Sequence, residues 1–256
     1  MKILNIVFSK GRADNIGDLT LSWLPLVDYD DYLVVVEPQD WSKYLAVLPK
    51  DALYQLPKND QGLGYAKNII REYALKNRYD AIFKLDDDII GWAGQDRKLK
   101  KGKACVPVFN TILKDCCEAF EKHPDVQAVG FPYSFEMYEV RKWIGVNLRL
   151  QSNYLCRTKY FVGDPRVKLF EDFHNYLYIR ANQGITLRYG YAGQGMKPVG
   201  KFKGGTALLD RKQQAEENIK IFRELYPALK AKKVTDKPWQ LEPDMRGPWF
   251  GVKYFK

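Results

Sequence analysis

Tyr79-Asp80-Ala81-Ile82-Phe83-Lys84-Leu85-Asp86-Asp87-Asp88-Ile89-Ile90-Gly91-Trp92 is the stretch on which the reading of this chain turns. Ala81-Ile82-Phe83 and Leu85 have the composition of a buried strand, and Ile89-Ile90 resumes the apolar run beyond the acids. Three consecutive carboxylates stand between them. On an extended backbone, side chains alternate faces, so Asp86 and Asp88 point one way and Asp87 the other. Two carboxylates about 4 Å apart repel by about 4 kcal/mol at an effective dielectric of about 20. Apolar flanks that half-bury the acids add to that cost unless protons or a cation neutralise them. A hard divalent ion, held by one or two carboxylates and by substrate phosphates, meets the need. The plainer alternative is an acidic turn in which Asp87 or Asp88 caps a following helix.

At 256 residues the chain suits one large domain, or one domain with an appendage. Its 46% hydrophobic and 28% charged composition is that of a soluble globular protein. No apolar run approaches the roughly 18 residues of a membrane helix. Met1 to Phe8 reads as a first strand rather than a signal peptide, so a cytosolic protein is the expectation. The four cysteines, Cys105, Cys116, Cys117 and Cys156, lack zinc spacing. Adjacent cysteines on a predicted helix cannot pair with each other without distortion, so reduced, mostly buried thiols are expected. With His123 and His174 the only histidines, a zinc site or a Ser-His-Asp hydrolase is disfavoured; a single catalytic histidine stays open. The formal charge of +10 draws polyanions, nucleic acid first, or serves solubility alone.

Upstream, Ile3 to Phe8 runs into Ser9-Lys10-Gly11-Arg12, a polar turn at a strand's C-terminal end. Open α/β sheets bind ligands at that edge, which makes Lys10 and Arg12 candidates for diphosphate contact, a solvated loop being the alternative. Tyr32 to Val36 is a second buried strand ending at Glu37, which is placed to accept hydrogen bonds from a base or ribose. Gln39 to Leu48 reads as a short helix and Ala52 to Leu56 as a third strand. Gly62-Leu63-Gly64-Tyr65-Ala66-Lys67-Asn68 is a glycine loop opening a helix with Ala66, Ile69, Ile70, Tyr73 and Ala74 on one face. Its glycines permit close backbone approach and its helix N-terminus favours an anion.

Beyond the acids, Arg97-Lys98-Leu99-Lys100-Lys101-Gly102-Lys103 carries five cations in seven residues, a solvated run or a set of phosphate contacts. Val108 to His123 reads as a helix burying Phe109, Ile112, Leu113, Cys116 and Phe120, and Val126 to Phe131 as a core strand. The segment from Pro132 to Asn147 brings Tyr133, Phe135, Tyr138, Arg141, Lys142 and Trp143, whose rings and guanidinium suit base stacking. Phe135 and Trp143 suit a hairpin core better. Gln151 to Arg157 reads as a strand, and Phe170-Glu171-Asp172 opens an amphipathic helix, its acids complementing the helix dipole. Tyr189 to Gly205, with six glycines in seventeen residues, predicts a mobile loop able to close over substrate. Asp210 to Leu229 predicts a surface helix with Ile221 and Leu225 inward, and Lys237 to Phe250 an extended tail stapled to the domain.

Alternating strands and helices predict an α/β fold with a mixed, mostly parallel sheet flanked by helices. The strand ending in Ser9-Lys10-Gly11-Arg12, the Gly62-to-Asn68 loop and Leu85-Asp86-Asp87-Asp88 together resemble a GT-A (Rossmann-like) glycosyltransferase. The resemblance implies a D-x-D motif in Asp86 and Asp88, with Asp87 in an alternative register. There a divalent metal, Mn or Mg, bridges the diphosphate of a nucleotide sugar, most simply a UDP-sugar. It implies donor contacts from Ser9, Lys10, Arg12, Glu37, Gly64, Lys67, Asn68 and Asp86. The family's loop usually carries Arg-Asn where this chain has Lys67-Asn68, which keeps the charge and loses the bidentate fork. It also implies a catalytic base in the pair Glu171 and Asp172, with Asp172 favoured, and an inverting displacement; a retaining course would not need that base. In motif order, from Ile3 to about Arg211, the chain is similar to the TET-associated glycosyltransferases, found largely in phages and linked to sugar decoration of oxidised or hydroxymethylated pyrimidines in DNA. That similarity implies one domain over residues 1–256: a nucleotide-sugar half over 1–95, an acceptor half over 96–211, and a helix and tail over 212–256. Double-stranded DNA is then the acceptor, with Arg97, Lys98, Lys100, Lys101, Lys103, Tyr133, Tyr138, Arg141 and Trp143 as its contacts, in a host cytoplasm. A glycan or protein acceptor, or a non-catalytic nucleic-acid-binding protein, stands as the alternative.

Overall fold

The computed structural model describes residues 1–28, 31–138, 144–168, 170–196 and 211–227, together with the short pairing of Ala231–Lys232 with Glu242–Pro243. Arg141, Trp143 and nearly all of the predicted C-terminal tail lie outside the described residues, and Tyr138 is described only in its backbone. In chain order the strands are β1 (Ile3–Phe8), β2 (Asp31–Val36), β3 (Leu53–Gln55), β4 (Ala81–Asp86), β5 (Ile89–Ala93) and β6 (Leu99–Lys101). They continue as β7 (Val126–Gly130), β8 (Ile144–Val146), β9 (Tyr154–Arg157), β10 (Ile185–Tyr189) and β11 (Gly193–Met196). The helices are α1 (Trp41–Leu45), α2 (Leu63–Lys76), α3 (Val106–Lys122), α4 (Glu171–Ala181) and α5 (Arg211–Leu225).

The main sheet has the order β3-β2-β1-β4-β9-β7-β10-β8. From β3 to β4 every pairing is parallel, and β7 is parallel to β10. Strand β9 is inserted antiparallel between β4 and β7, and β8 closes the far edge antiparallel to β10. A mixed, mostly parallel sheet is therefore what the alternation of elements produces. A small antiparallel sheet, β11-β5-β6, stands beside it.

The near-continuous apolar runs of β1 and β4 are buried on both faces, as parallel strands covered by helices must be. On one face Leu4, Ile6 and Ile82 pack with Ile70 of α2 and Tyr176 of α4. On the other, Phe83 and Leu85 pack with Phe109 of α3, Trp23, Trp92 and Phe131. The rings there meet edge-on or tilted, Trp23 to Phe109 at 4.9 Å and Phe83 to Phe109 at 5.1 Å. Helix α3 buries the face its period predicted. The cysteines form no disulfide with one another, and Cys105, Cys116 and Cys156 are buried.

Three expectations shift. The glycine-rich stretch from Tyr189 is only briefly a turn, at 190–192: Gly193–Met196 is β11, paired with β5, and Gly193 and Gly195 leave room for Met137 and Leu99. Residues 197–205 lie outside the described residues. Phe135, expected in a hairpin core, is 72% exposed. In α5 Ile221 packs against the core as expected but only half-buried, as is Leu225, and among the described side chains Asn218 and Phe222 are buried more deeply.

Phe222 stacks against His174 of α4, whose Nδ1 is buried with no hydrogen-bond partner. Burial lowers the pKa of His174 from 6.5 to about 4. The unfolded chain therefore takes up this proton first. Stability held by neutral His174 is intact above pH 6.5, drains as pH falls and is gone below about 4. The effect is worth roughly 3 kcal/mol. The urea midpoint should drop across that window, and His174→Leu should flatten the drop; an equally steep fall in the variant would remove His174 as the cause.

Candidate active site

Strand β4 ends on Asp86, the chain turns at Asp87 and Asp88, and β5 begins at Ile89. Strict alternation therefore stops after Asp86. The side chains of Lys84 and Asp86 lie on one face, as the pleat requires, and Lys84 Nζ donates to Asp86 Oδ1 at 2.6 Å. Asp87 turns the other way, under the loop after β1, where Ser9 Oγ donates to it at 2.6 Å and the Arg12 guanidinium also donates. Asp88 shares that guanidinium at 3.5 Å, so the turn groups Asp88 with Asp87 around Arg12. Burial, then the charges of Asp86 and Asp87, push Asp88 up to about 7. Its Oδ1 is buried with no partner, as is Arg12 Nε.

Such an orphaned carboxylate oxygen is a position a cation would fill. The Asp86 side chain beside it is 25% exposed. The donors present, two hard carboxylate oxygens, fit Mg²⁺ or Mn²⁺ sharing its shell with substrate phosphates. No group of three or more carboxylate, imidazole or thiolate side chains among the described residues could hold a metal by itself.

Opposite the acids, α4 starts immediately after Phe170, which holds a left-handed φ of 60°. Glu171 is clamped between two buried ammonium groups, Lys84 at 3.2 Å and Lys67 at 3.0 Å. Burial alone would raise Glu171, but these two charges outweigh it and hold the carboxylate down at about 2. Asp172 behaves oppositely. Burial raises its pKa, Arg149 at 3.8 Å pulls it back only partly, and the Glu171 charge adds to the rise. Environment thus shifts two neighbouring acids in opposite directions.

Lys84 links the two acidic groups. Its three donors meet Asp86 Oδ1, Glu171 Oε1 and the Ser152 carbonyl, the last at 2.6 Å. The sequence reading treated Lys84 as part of a strand; a cation inside the run Ala81-Ile82-Phe83-Lys84-Leu85 is the signal that marks it. Asn153, Arg149 and Gln194 were also missed. Asn153 Oδ1 accepts from the Asp86 backbone N–H at 2.6 Å, and its amide donates to Gln194.

The remaining predicted residues divide. Lys10 pairs with Glu37 at 2.8 Å and with Asp60, and Glu37 also accepts from Gln39 and the Asp60 backbone. The glycine loop departs from expectation. Lys67 is fully buried and donates to Tyr154, Glu171 and Asn175 rather than facing a ligand. Asn68 clamps the Gly163 backbone from both ends, at 2.7 and 3.0 Å. The close approach that Gly64 permits is used by this chain's own Asp164, whose carbonyl stands 2.2 Å from where a Cβ would sit. In the basic run, Lys100 pairs with Asp96 at 3.2 Å, and the Lys98 backbone donates to Asp96. Lys101 lies on β6 opposite Gly91, and Gly102 and Lys103 open the 3-10 turn that follows. Tyr133 hydrogen-bonds Ser152 at 3.2 Å; burial pushes its phenol up, and Asp86 and Asp172 are near enough to add to it.

A sheet of this order, with an acid-tipped β4 facing a second acidic pair, defines the class: a GT-A glycosyltransferase fold. The same fold occurs in Mycobacterium tuberculosis glucosyl-3-phosphoglycerate synthase, at TM-score 0.51 and 12% identity over 88% of this chain and 79% of that one. A mycobacterial protein matches at TM-score 0.51 and 13% identity over 94% and 82%. Staphylococcus aureus TarS, residues 1–349, matches at TM-score 0.45 and 18% identity over 78% of this chain; the chain spans 59% of that structure. There is no match among curated proteins. The sequence profile of the TET-associated glycosyltransferases matches residues 4–198, and the chain belongs to that family. No helix among the described residues is long and apolar enough to cross a membrane.

Proposed function

We propose that this protein transfers a sugar from a nucleoside-diphosphate sugar, a UDP-sugar in the simplest case, to the hydroxyl of a hydroxylated or hydroxymethylated pyrimidine in double-stranded DNA. The observation that carries the donor half is the orphaned, buried Asp88 Oδ1 beside Asp86 at the sheet's ligand edge. Asp86 and Asp88 would hold a divalent cation. Bound there, that cation supplies charge stabilisation to the departing diphosphate. Arg12, drawn to the same corner, adds positive charge, and Lys10 with Glu37 flanks it on the β1–β2 side.

On the other side Asp172 takes the proton of the acceptor hydroxyl as its oxygen bonds to the sugar's anomeric carbon and the bond from that carbon to the diphosphate oxygen breaks. Direct displacement of this kind inverts the anomeric centre. Glu171 stays ionised and holds Lys84 and Lys67 in place. The +10 charge, family membership and the basic run from Arg97 to Lys103 support a polyanionic acceptor.

The test is mass spectrometry of nucleosides from hydroxymethylated duplex DNA incubated with Mn²⁺ and a panel of nucleotide sugars. Wild type should yield one glycosylated nucleoside, lost on chelation of the metal. Asp88→Ala should abolish transfer while DNA affinity stays nearly intact. Unchanged turnover in Asp88→Ala would remove the metal role, and absence of any product would remove the DNA acceptor.

A further inference from the structure

Phe135 is the most exposed large apolar side chain found among the described residues, at 72%, and the one aromatic ring in that exposed set. It is not a loose side chain. Its inner face lies parallel to the ring of Tyr133, 3° from coplanar, with centroids 5.5 Å apart. Tyr133 is in turn fixed. Its hydroxyl bonds Ser152 Oγ, and its backbone N–H donates to Glu136, which also accepts from Gln151 at 2.8 Å. The Ser152 carbonyl is the one that Lys84 grips beside Asp86 and Glu171. A flat apolar face is thus presented to solvent on a frame continuous with the acidic site.

The sheet order says which side of the acids that face occupies. Along the ligand edge the strand ends run β2, β1, β4, β9, β7. Glu37 follows β2, Ser9 and Arg12 follow β1, and the acids end β4. Tyr133 and Phe135 follow β7, two strands beyond the acids, or about 10 Å at ordinary strand spacing. The ring pair is therefore on the side of the acids away from Glu37 and Lys10, and Tyr133 is near enough to Asp172 to feel its charge.

We propose that the outer face of Phe135, backed by Tyr133, is a stacking seat for the planar ring of the acceptor, a nucleobase turned out of the DNA duplex. The proposal rests on the DNA reading above and names how that acceptor is held. An aromatic face accepts any base, because every base has a π-face, and extrusion is what brings a hydroxyl borne by a stacked base to a buried carboxylate. Sugar rings also lie on aromatic faces, but the +10 charge favours a polyanion.

The experiment compares wild type with Phe135→Ala, Phe135→Leu and Phe135→Trp, using a short duplex carrying one 5-hydroxymethylcytosine. Fluorescence anisotropy reads binding, and transfer of sugar gives KM and kcat. Phe135→Ala should weaken the duplex about five- to a hundred-fold, the loss falling on KM for DNA rather than on kcat. Phe135→Leu should be nearly as weak, since it is apolar without a flat face, and Phe135→Trp should match or exceed wild type. Equal behaviour of Leu and Phe would mean apolar packing only and overturn the seat, as would indifference of binding to all three variants. If wild type binds the duplex in a Phe135-dependent way but transfers nothing, the transfer reading falls and the seat stands. If wild type does not bind the duplex, both fall.

Discussion

Lys84→Met is expected to destabilise the protein by about 3 kcal/mol or more and to abolish sugar transfer. Lys84 is 2% exposed, and its ammonium has a full complement of acceptors in Asp86, Glu171 and Ser152. Burial alone would depress its pKa, but the charges of Asp86 and Glu171 outweigh that and raise it, so it is a permanent cation. Methionine fills much the same volume but leaves Asp86 without its partner and Glu171 with Lys67 alone. An uncompensated buried carboxylate is the costly outcome; loss of the pair's own attraction matters less. The predicted loss is read from the denaturant midpoint without metal or donor, which separates it from ligand effects. Lys84→Arg keeps the charge but not the compact three-way fit and should fall between the two. A midpoint equal to wild type in Lys84→Met would show that the three contacts do not hold the two acidic groups.

Asp172→Asn is expected to lower kcat by about 10²- to 10⁴-fold, the contribution of a positioned general base. The same change should leave stability unaltered or slightly higher, because burial already disfavours the charge that asparagine removes. Glu171→Gln should show the reverse emphasis. It deprives Lys84 and Lys67 of a shared anion, so the midpoint falls first and activity follows. Thermal unfolding and kcat measured on both variants distinguish the roles. An intact kcat in Asp172→Asn beside a stable, inactive Glu171→Gln would exchange the two assignments.

Most of the fold was legible because buried parallel strands write themselves as apolar runs: Ile3 to Phe8, Tyr32 to Val36 and Ala81 to Leu85 all lie in the main sheet. The acidic corner was legible for the complementary reason, that three carboxylates interrupting such a run demand explanation. What escaped depends on tertiary partners. Lys67 opens a helix behind two glycines, which locally suggests an anion site; its burial follows from Tyr154, Glu171 and Asn175, all distant in sequence. Gly193 to Met196 looks like a loop by composition, yet the missing side chains are what let Met137 and Leu99 pack against that strand. Phe135 has a core residue's identity, and only the folded chain shows it facing water.

Strand β9 runs against both of its neighbours, so the chain enters it at the very edge where β4 and β7 leave. The segment leading into it, from Arg149 to Asn153, is thereby laid across the mouth of the site and contacts Asp172, Lys84 and Asp86. A seam of this kind lets one flank diverge while the other is held. A change in length ahead of Arg149 should therefore alter that flank, while the acidic corner, built on β1 and β4, keeps its form.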